Sequence, residues 1–128
     1  LRFSVSGSLL GTYIIGTKEK NETARIITGV RTSAITAKVT KEEKASEGRL
    51  SRISLSWTKT GGFNVDGYEI YDSYNAISFQ KAYTLEGNSC FNRNVESGTT
   101  KYYKVRGYRE INGQIYYTRW SNVISGKV

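Results

Sequence analysis

Four short phrases constrain this chain more than anything else in it: Leu55-Ser-Trp57, Gly67-Tyr-Glu-Ile-Tyr71, Tyr102-Tyr-Lys-Val-Arg-Gly-Tyr108 and Ser121-Asn-Val-Ile124. Each sets large apolar or aromatic residues two positions apart, the period at which alternate side chains of an extended strand enter a core while their neighbours face water. The pattern predicts two packed β-sheets. Ile53, Leu55 and Trp57 point one way, with Arg52, Ser54 and Ser56 between them. Tyr68 and Ile70 enter the interior while Glu69 and Tyr71 face outward. Tyr103, Val105 and Gly107 share one face of their strand; Tyr102, Lys104, Arg106 and Tyr108 share the opposite face.

The pieces between these phrases read as strands and turns. Residues 33 to 40 alternate, with Ile35, Ala37 and Val39 on one side, and form the first strand of the sandwich; the polar run Lys41 to Gly48 reads as a loop. Gly61-Gly62 turns the chain. Phe79 to Leu85 is a shorter strand, followed by a brief extended piece at Cys90 and Phe91. Asn112-Gly113 supplies a two-residue turn of the primed type, so Ile115 to Trp120 pairs back on the preceding strand.

The chain has 128 residues, which fits one domain of about 100 residues plus an appendage too small for its own core. The division falls at residue 32: residues 1 to 32 form an N-terminal extension and residues 33 to 128 the sandwich. Phe3-Ser-Val5, Thr12 to Ile15 and Arg25 to Ile27 are β-branched or aromatic, with the charged stretch Lys18 to Glu22 between them. They predict a β-hairpin that packs either on the sandwich or on a neighbouring subunit. No apolar run approaches the roughly 18 residues a membrane span needs.

Chemistry is poorly provided for. The chain has no histidine, the commonest general base and metal ligand, and one cysteine, Cys90, which allows neither an intrachain disulfide nor a metal cluster. Asp66, Glu69 and Asp72 lie near one another in sequence, but Asp66 precedes a tight turn, which it caps, and no cleft sets two carboxylates across a bond. Neither an oxygen-rich calcium loop nor a phosphate cradle is present, so no enzyme activity, metal or cofactor is expected. Net charge is +8, with +3 in residues 1 to 48 and +5 in residues 49 to 128. Charge spread in this way argues against a nucleic-acid reader, which concentrates its lysines and arginines on one face.

From about residue 33 onward, Leu55 to Trp57, Asp66 to Tyr71, Tyr102 to Arg106 and the closing Ser121-Asn-Val resemble a fibronectin type III domain, especially the bacterial and phage versions. The resemblance implies seven strands in two sheets, an Ig-like sandwich, with Val95 to Thr99 crossing between sheets. It departs at Lys101, where the family commonly places a tyrosine that ties the corner to the backbone. It also implies a structural or adhesive role, a spacer or attachment domain in a larger extracellular, cell-surface or virion assembly whose partners are other protein subunits. On this reading Tyr13, Ile14, Ile15, Ile26 and Ile27 make the assembly contact. The outward row Tyr71, Tyr102, Lys104, Arg106 and Tyr108, with Tyr116 beside it, is the binding surface. The same row serves the alternative, a glycan-binding accessory module of a secreted protein, because a tyrosine offers a flat apolar ring with a polar tip and a guanidinium stacks on such rings.

Overall fold

The computed structural model describes the backbone of residues 7–46, 50–87 and 90–128, and side chains from residue 20 onward except 47–49 and 88–93. A helix, α1 (Gly7–Thr32), precedes β1 (Ala34–Glu43), β2 (Arg52–Thr60), β3 (Gly67–Ser73), β4 (Gln80–Leu85), β5 (Cys90–Asn94), β6 (Thr100–Ile111), β7 (Gln114–Tyr117) and β8 (Ile124–Lys127). The strands build two antiparallel sheets, one in the order β1-β2-β5 and one in the order β4-β3-β6-β7, with β8 also paired to β6. β7 and β8 follow one another along the same edge of β6, so these segments fill the seven positions of the expected sandwich. Residues 95 to 99 carry the chain from one sheet to the other.

The core is the set that the alternation places inward. Ile35 and Ala37 of β1, Ile53, Leu55 and Trp57 of β2, Ile70 of β3 and Tyr103 and Val105 of β6 are buried together, with Val39, Tyr68, Leu85, Val95 and Ile124 packed against them. Trp57 meets Tyr68 edge to face at 5.6 Å between centroids, which locks the two sheets together through their largest rings. At the β6–β7 turn both Asn112 and Gly113 have positive φ, which a primed turn requires. Asp66 does not cap its own turn among the described hydrogen bonds: its Oδ2 reaches across to β6 beside the Asn112-Gly113 turn and accepts from the Glu110 amide at 2.8 Å.

Two further expectations are corrected. The first strand does not stop at Thr40: after an irregularity between Val39 and Lys41 it continues to Glu43, because Lys41, Glu42 and Glu43 still pair with Ser54, Ile53 and Arg52. Where an N-terminal β-hairpin is expected, with Phe3 to Val5 outside the described residues, Gly7–Thr32 is a helix. Its apolar residues are spread around the helix rather than gathered in one stripe, so periodicity carried no helical signal. The charged stretch read as a turn is compatible with a helix: Glu22 and Arg25 form an ion pair one turn apart. That contact holds the Glu22 carboxyl below its usual range, chiefly through the hydrogen bond. Docking against the sandwich then overrides the β preference of Ile26, Ile27 and Val30.

Candidate functional site

The joint between helix and sandwich is a single residue, Ser33, and it is buried. Helix carbonyls near a C-terminus lack intrahelical partners. Here the Ser33 hydroxyl donates to Gly29 O at 2.7 Å, its amide donates to Val30 O at 3.1 Å, and Arg119 Nη2 donates to Thr32 O at 3.2 Å. Arg31 and Arg119 thus put positive charge at the negative end of the helix. Val30 is buried, and Gly29 lies so close to Phe63 that an added Cβ would fall 2.1 Å from the ring. Arg25 lies over the other part of this contact, 5.4 Å from the Phe63 centroid, and Arg31 lies 5.3 Å from that of Tyr116. Of the residues expected to make an assembly contact, Ile26 and Ile27 are half-buried on α1. Tyr13, Ile14 and Ile15 lie in the same helix, but their side chains are outside the described residues.

The second feature begins where β7 leaves β6. Between β7 and β8 the chain keeps its bonds to β6 through side chains: Gly107 N donates to Thr118 Oγ1 at 2.9 Å and Val105 N to Ser121 Oγ at 2.8 Å. Thr118 N and Ser121 N return bonds to Gly107 O and Val105 O. The two hydroxyls replace backbone carbonyls, so Arg119 and Trp120 are extruded without leaving β6 amides unpaired. Arg119 turns to the helix; Trp120 folds over the outer face of the sheet.

There the rings and cations alternate. Arg106 lies 3.6 Å from the Tyr117 centroid and 4.5 Å from that of Trp120, and Lys104 lies 4.2 Å from Trp120 and 4.5 Å from Phe79. Tyr71 closes the side, edge to face with Trp120 at 4.9 Å, its hydroxyl accepting from Arg106 Nη2 at 3.3 Å. Glu69, directly across from Arg106, accepts from its Nε at 2.8 Å and faces Lys81 Nζ at 3.3 Å. The hydrogen bond to Glu69, then its charge, raises the Lys81 pKa above its ordinary value.

Of the expected surface, then, Tyr71, Lys104 and Arg106 come together. Tyr108 sits at the far end, its ring filling the space above Gly67; burial, then the charges of Glu86, Asp66 and Glu69, raises its pKa. Tyr102 lies across from Ser73 and Ser125 and takes no part in the ring contacts among the described residues. Tyr116 goes to the helix, and Tyr117 takes the place beside Arg106. That was countable: a two-residue turn at Asn112-Gly113 sets Tyr117 across from Tyr108 on the face of Arg106. Trp120 and Phe79 were missed for a different reason, since both follow irregular chain that alternation does not reach.

The inner face of β6 carries an ion pair. Lys101 Nζ lies 3.1 Å from Asp72 Oδ2 with both side chains at most 5% exposed, and its ammonium sits 4.0 Å from the Tyr74 centroid. Lys101 therefore occupies an interior position where the resemblance calls for a tyrosine. Among the described residues no group of three or more Cys, Asp or Glu side chains is placed to hold a metal ion, and no helix is long and apolar enough to cross a membrane.

No protein-family model matches the sequence, and no match to a curated protein was found. Among solved structures, the chain is similar to a fibronectin type III domain derived from a human protein, at 15% identity and a TM-score of 0.54, over 84% of this chain and 80% of that one. It is also similar to a β-1,2-glucanase from Parabacteroides distasonis, at 23% identity and a TM-score of 0.52, over 73% of this chain. The match spans 12% of the glucanase chain. The fold is an antiparallel two-sheet sandwich module. More particularly, it is fibronectin type III-like.

Proposed function

We propose that this chain is a non-catalytic spacer or attachment module of a larger extracellular, cell-surface or virion assembly. One observation carries the reading: the helix enters the sandwich through a one-residue joint whose hydroxyl and amide both bond back to the last helical turn. A joint of this kind transmits the position of whatever the helix contacts, whereas a glycine-rich or serine-rich linker would let the two parts swing. The apolar residues of the helix, Tyr13, Ile14, Ile15, Ile26 and Ile27, supply the contact to other subunits.

Backbone 15N relaxation of the full chain tests the rigid joint. Amides 20 to 32 tumble with the same correlation time as those of β6; independent, faster motion of the helix overturns a spacer role. Lysine at Ile14 and Ile15 weakens incorporation of the chain into its native assembly. Unchanged incorporation removes the helix as the contact.

A second reading, a glycan-binding accessory module, is favoured by the similarity to a segment of a β-1,2-glucanase and by the part-exposed Trp120 on the outer sheet face. Binding on a glycan array that disappears in Trp120→Ala supports it, and silence across a broad array counts against it.

A further inference from the structure

The outer face carries more positive charge than it neutralises. Lys81, Lys104 and Arg106 lie on this face, and the carboxylate of Glu69 is taken up by two of them, Arg106 and Lys81. Lys104 is different. Its ammonium lies between the Trp120 and Phe79 rings, and among the described residues no carboxylate or other oxygen meets its three N–H donors. The opposite end of the face, at Tyr108, lies near Glu86 and Asp66, so the surface is polarised with its uncompensated charge at the Phe79 end.

Beside Phe79 is an open depression lined by Asp72, Ser73, Tyr74, Asn75, Ser78 and Gln80; the Asp72 carboxylate is paired with Lys101, and Tyr74 is 69% exposed. Flat rings, an ammonium held between two of them without a carboxylate among the described residues, and short polar side chains thus lie next to one another. Rings interleaved with cations favour a ligand that has both a flat apolar face and an anionic group.

The geometry points to an acidic polysaccharide as the ligand of this face, a chain of uronic acid units that lays a sugar ring on Trp120 and sets its carboxylate on Lys104. This rests on the glycan reading above and names its substrate class. An acidic peptide offers the carboxylate without the sugar ring. A neutral glucan offers the ring but leaves Lys104 unmatched.

Affinity electrophoresis of the full chain in gels containing polygalacturonate, a neutral β-glucan or polyglutamate separates these cases. Polygalacturonate retards the protein, and both Lys104→Gln and Trp120→Ala weaken that binding by about tenfold, the size of one lost ion pair or stacking contact in a desolvated setting. Lys104→Gln removes the charge from a half-buried side chain without opening the core, so the test survives if Trp120→Ala fails to fold. Binding to polyglutamate falls little in either variant. Three results overturn the inference: unchanged polygalacturonate binding in Lys104→Gln, an equal loss on polyglutamate, or equally tight binding of neutral β-glucan. The last of these leaves the glycan reading intact, while retention by none of the polysaccharides ends both.

Discussion

The two faces of β6 make the same kind of interaction at different degrees of burial. Inward, Lys101 pairs with Asp72 across to β3 with both side chains almost fully removed from water. Outward, Arg106 pairs with Glu69 across the same two strands, under a cover of rings but with the guanidinium side chain 20% exposed. Burial costs a charge its hydration, and the pair recovers that only while both partners are present. The inner pair is thus a conditional contact that penalises any departure from the native register. The outer pair is cushioned by Tyr117, Trp120 and Tyr71, which attract the cation whether or not the carboxylate is there.

The largest effect expected follows from the inner side. Lys101→Met leaves the Asp72 carboxylate buried without its ammonium and lowers stability by about 3–5 kcal/mol, whereas the double variant Lys101→Met/Asp72→Leu recovers most of that loss. Urea denaturation of the three proteins checks it. A single-variant loss below about 1 kcal/mol would place the pair in the energetic class of surface salt bridges and dissolve the contrast between the faces.

On the outer side the corresponding change is milder. Glu69→Gln removes the charge that Arg106 and Lys81 share but keeps an acceptor in place, and lowers stability by about 2 kcal/mol, the scale of a hydrogen bond to a charged group. A loss as large as that of Lys101→Met would mean that the rings do not shelter the guanidinium. A third change removes the shelter itself. Trp120→Ala costs about 1–2 kcal/mol, since the ring is 37% exposed and each of its two cation contacts is worth roughly 0.5–1 kcal/mol at such a site. Its signature is spectroscopic: the upfield ring-current shift of the Lys104 ε-methylene protons diminishes, and if those protons resonate at ordinary positions in the parent protein the alternating stack is wrong.

The faces also differ in how readily the sequence disclosed them. The inner set was legible because strict alternation along β2, β3 and β6 sorts side chains without any knowledge of neighbours, and Trp57, Ile70, Tyr103 and Val105 lie where that sorting puts them. Half of the outer site followed by the same rule, through Tyr71, Lys104 and Arg106. Tyr117 was countable from the turn, whereas Phe79 and Trp120 depend on chain that is not periodic: Trp120 reaches the face only because Thr118 and Ser121 hydroxyls stand in for carbonyls and extrude the residues between them. The helix was illegible for a related reason. Its β-branched residues have the composition of strands, and what fixes them as helix is tertiary: the fit of Gly29 against Phe63 and the capping by Ser33 and Arg119, which no local pattern announces.

Alkaline pH offers the finest comparison of the two sides. Tyr68, on the inner side against Trp57, has its pKa raised by burial, and Lys81, on the outer side, has its pKa raised chiefly by its hydrogen bond to Glu69. Both folded-state values lie above the unfolded ones, so each group's contribution is fully present below its unfolded pKa, near about 10 for tyrosine and lysine, and is lost as pH rises through the folded value. The fold therefore weakens above about pH 10 from both sides, but for causes that salt distinguishes. Charge attraction at an exposed lysine is screened in about 0.5 M salt, while desolvation of a phenol is not. Urea midpoints measured from pH 9 upward should show a salt-sensitive part of the decline that shrinks in Lys81→Met and a salt-insensitive part that shrinks in Tyr68→Phe, the remainder of the latter belonging to Tyr108, whose pKa burial also raises. If salt abolishes the Tyr68 part as well, charge rather than burial governs the inner tyrosine, and the division between a dry face and a charged one fails at its edge.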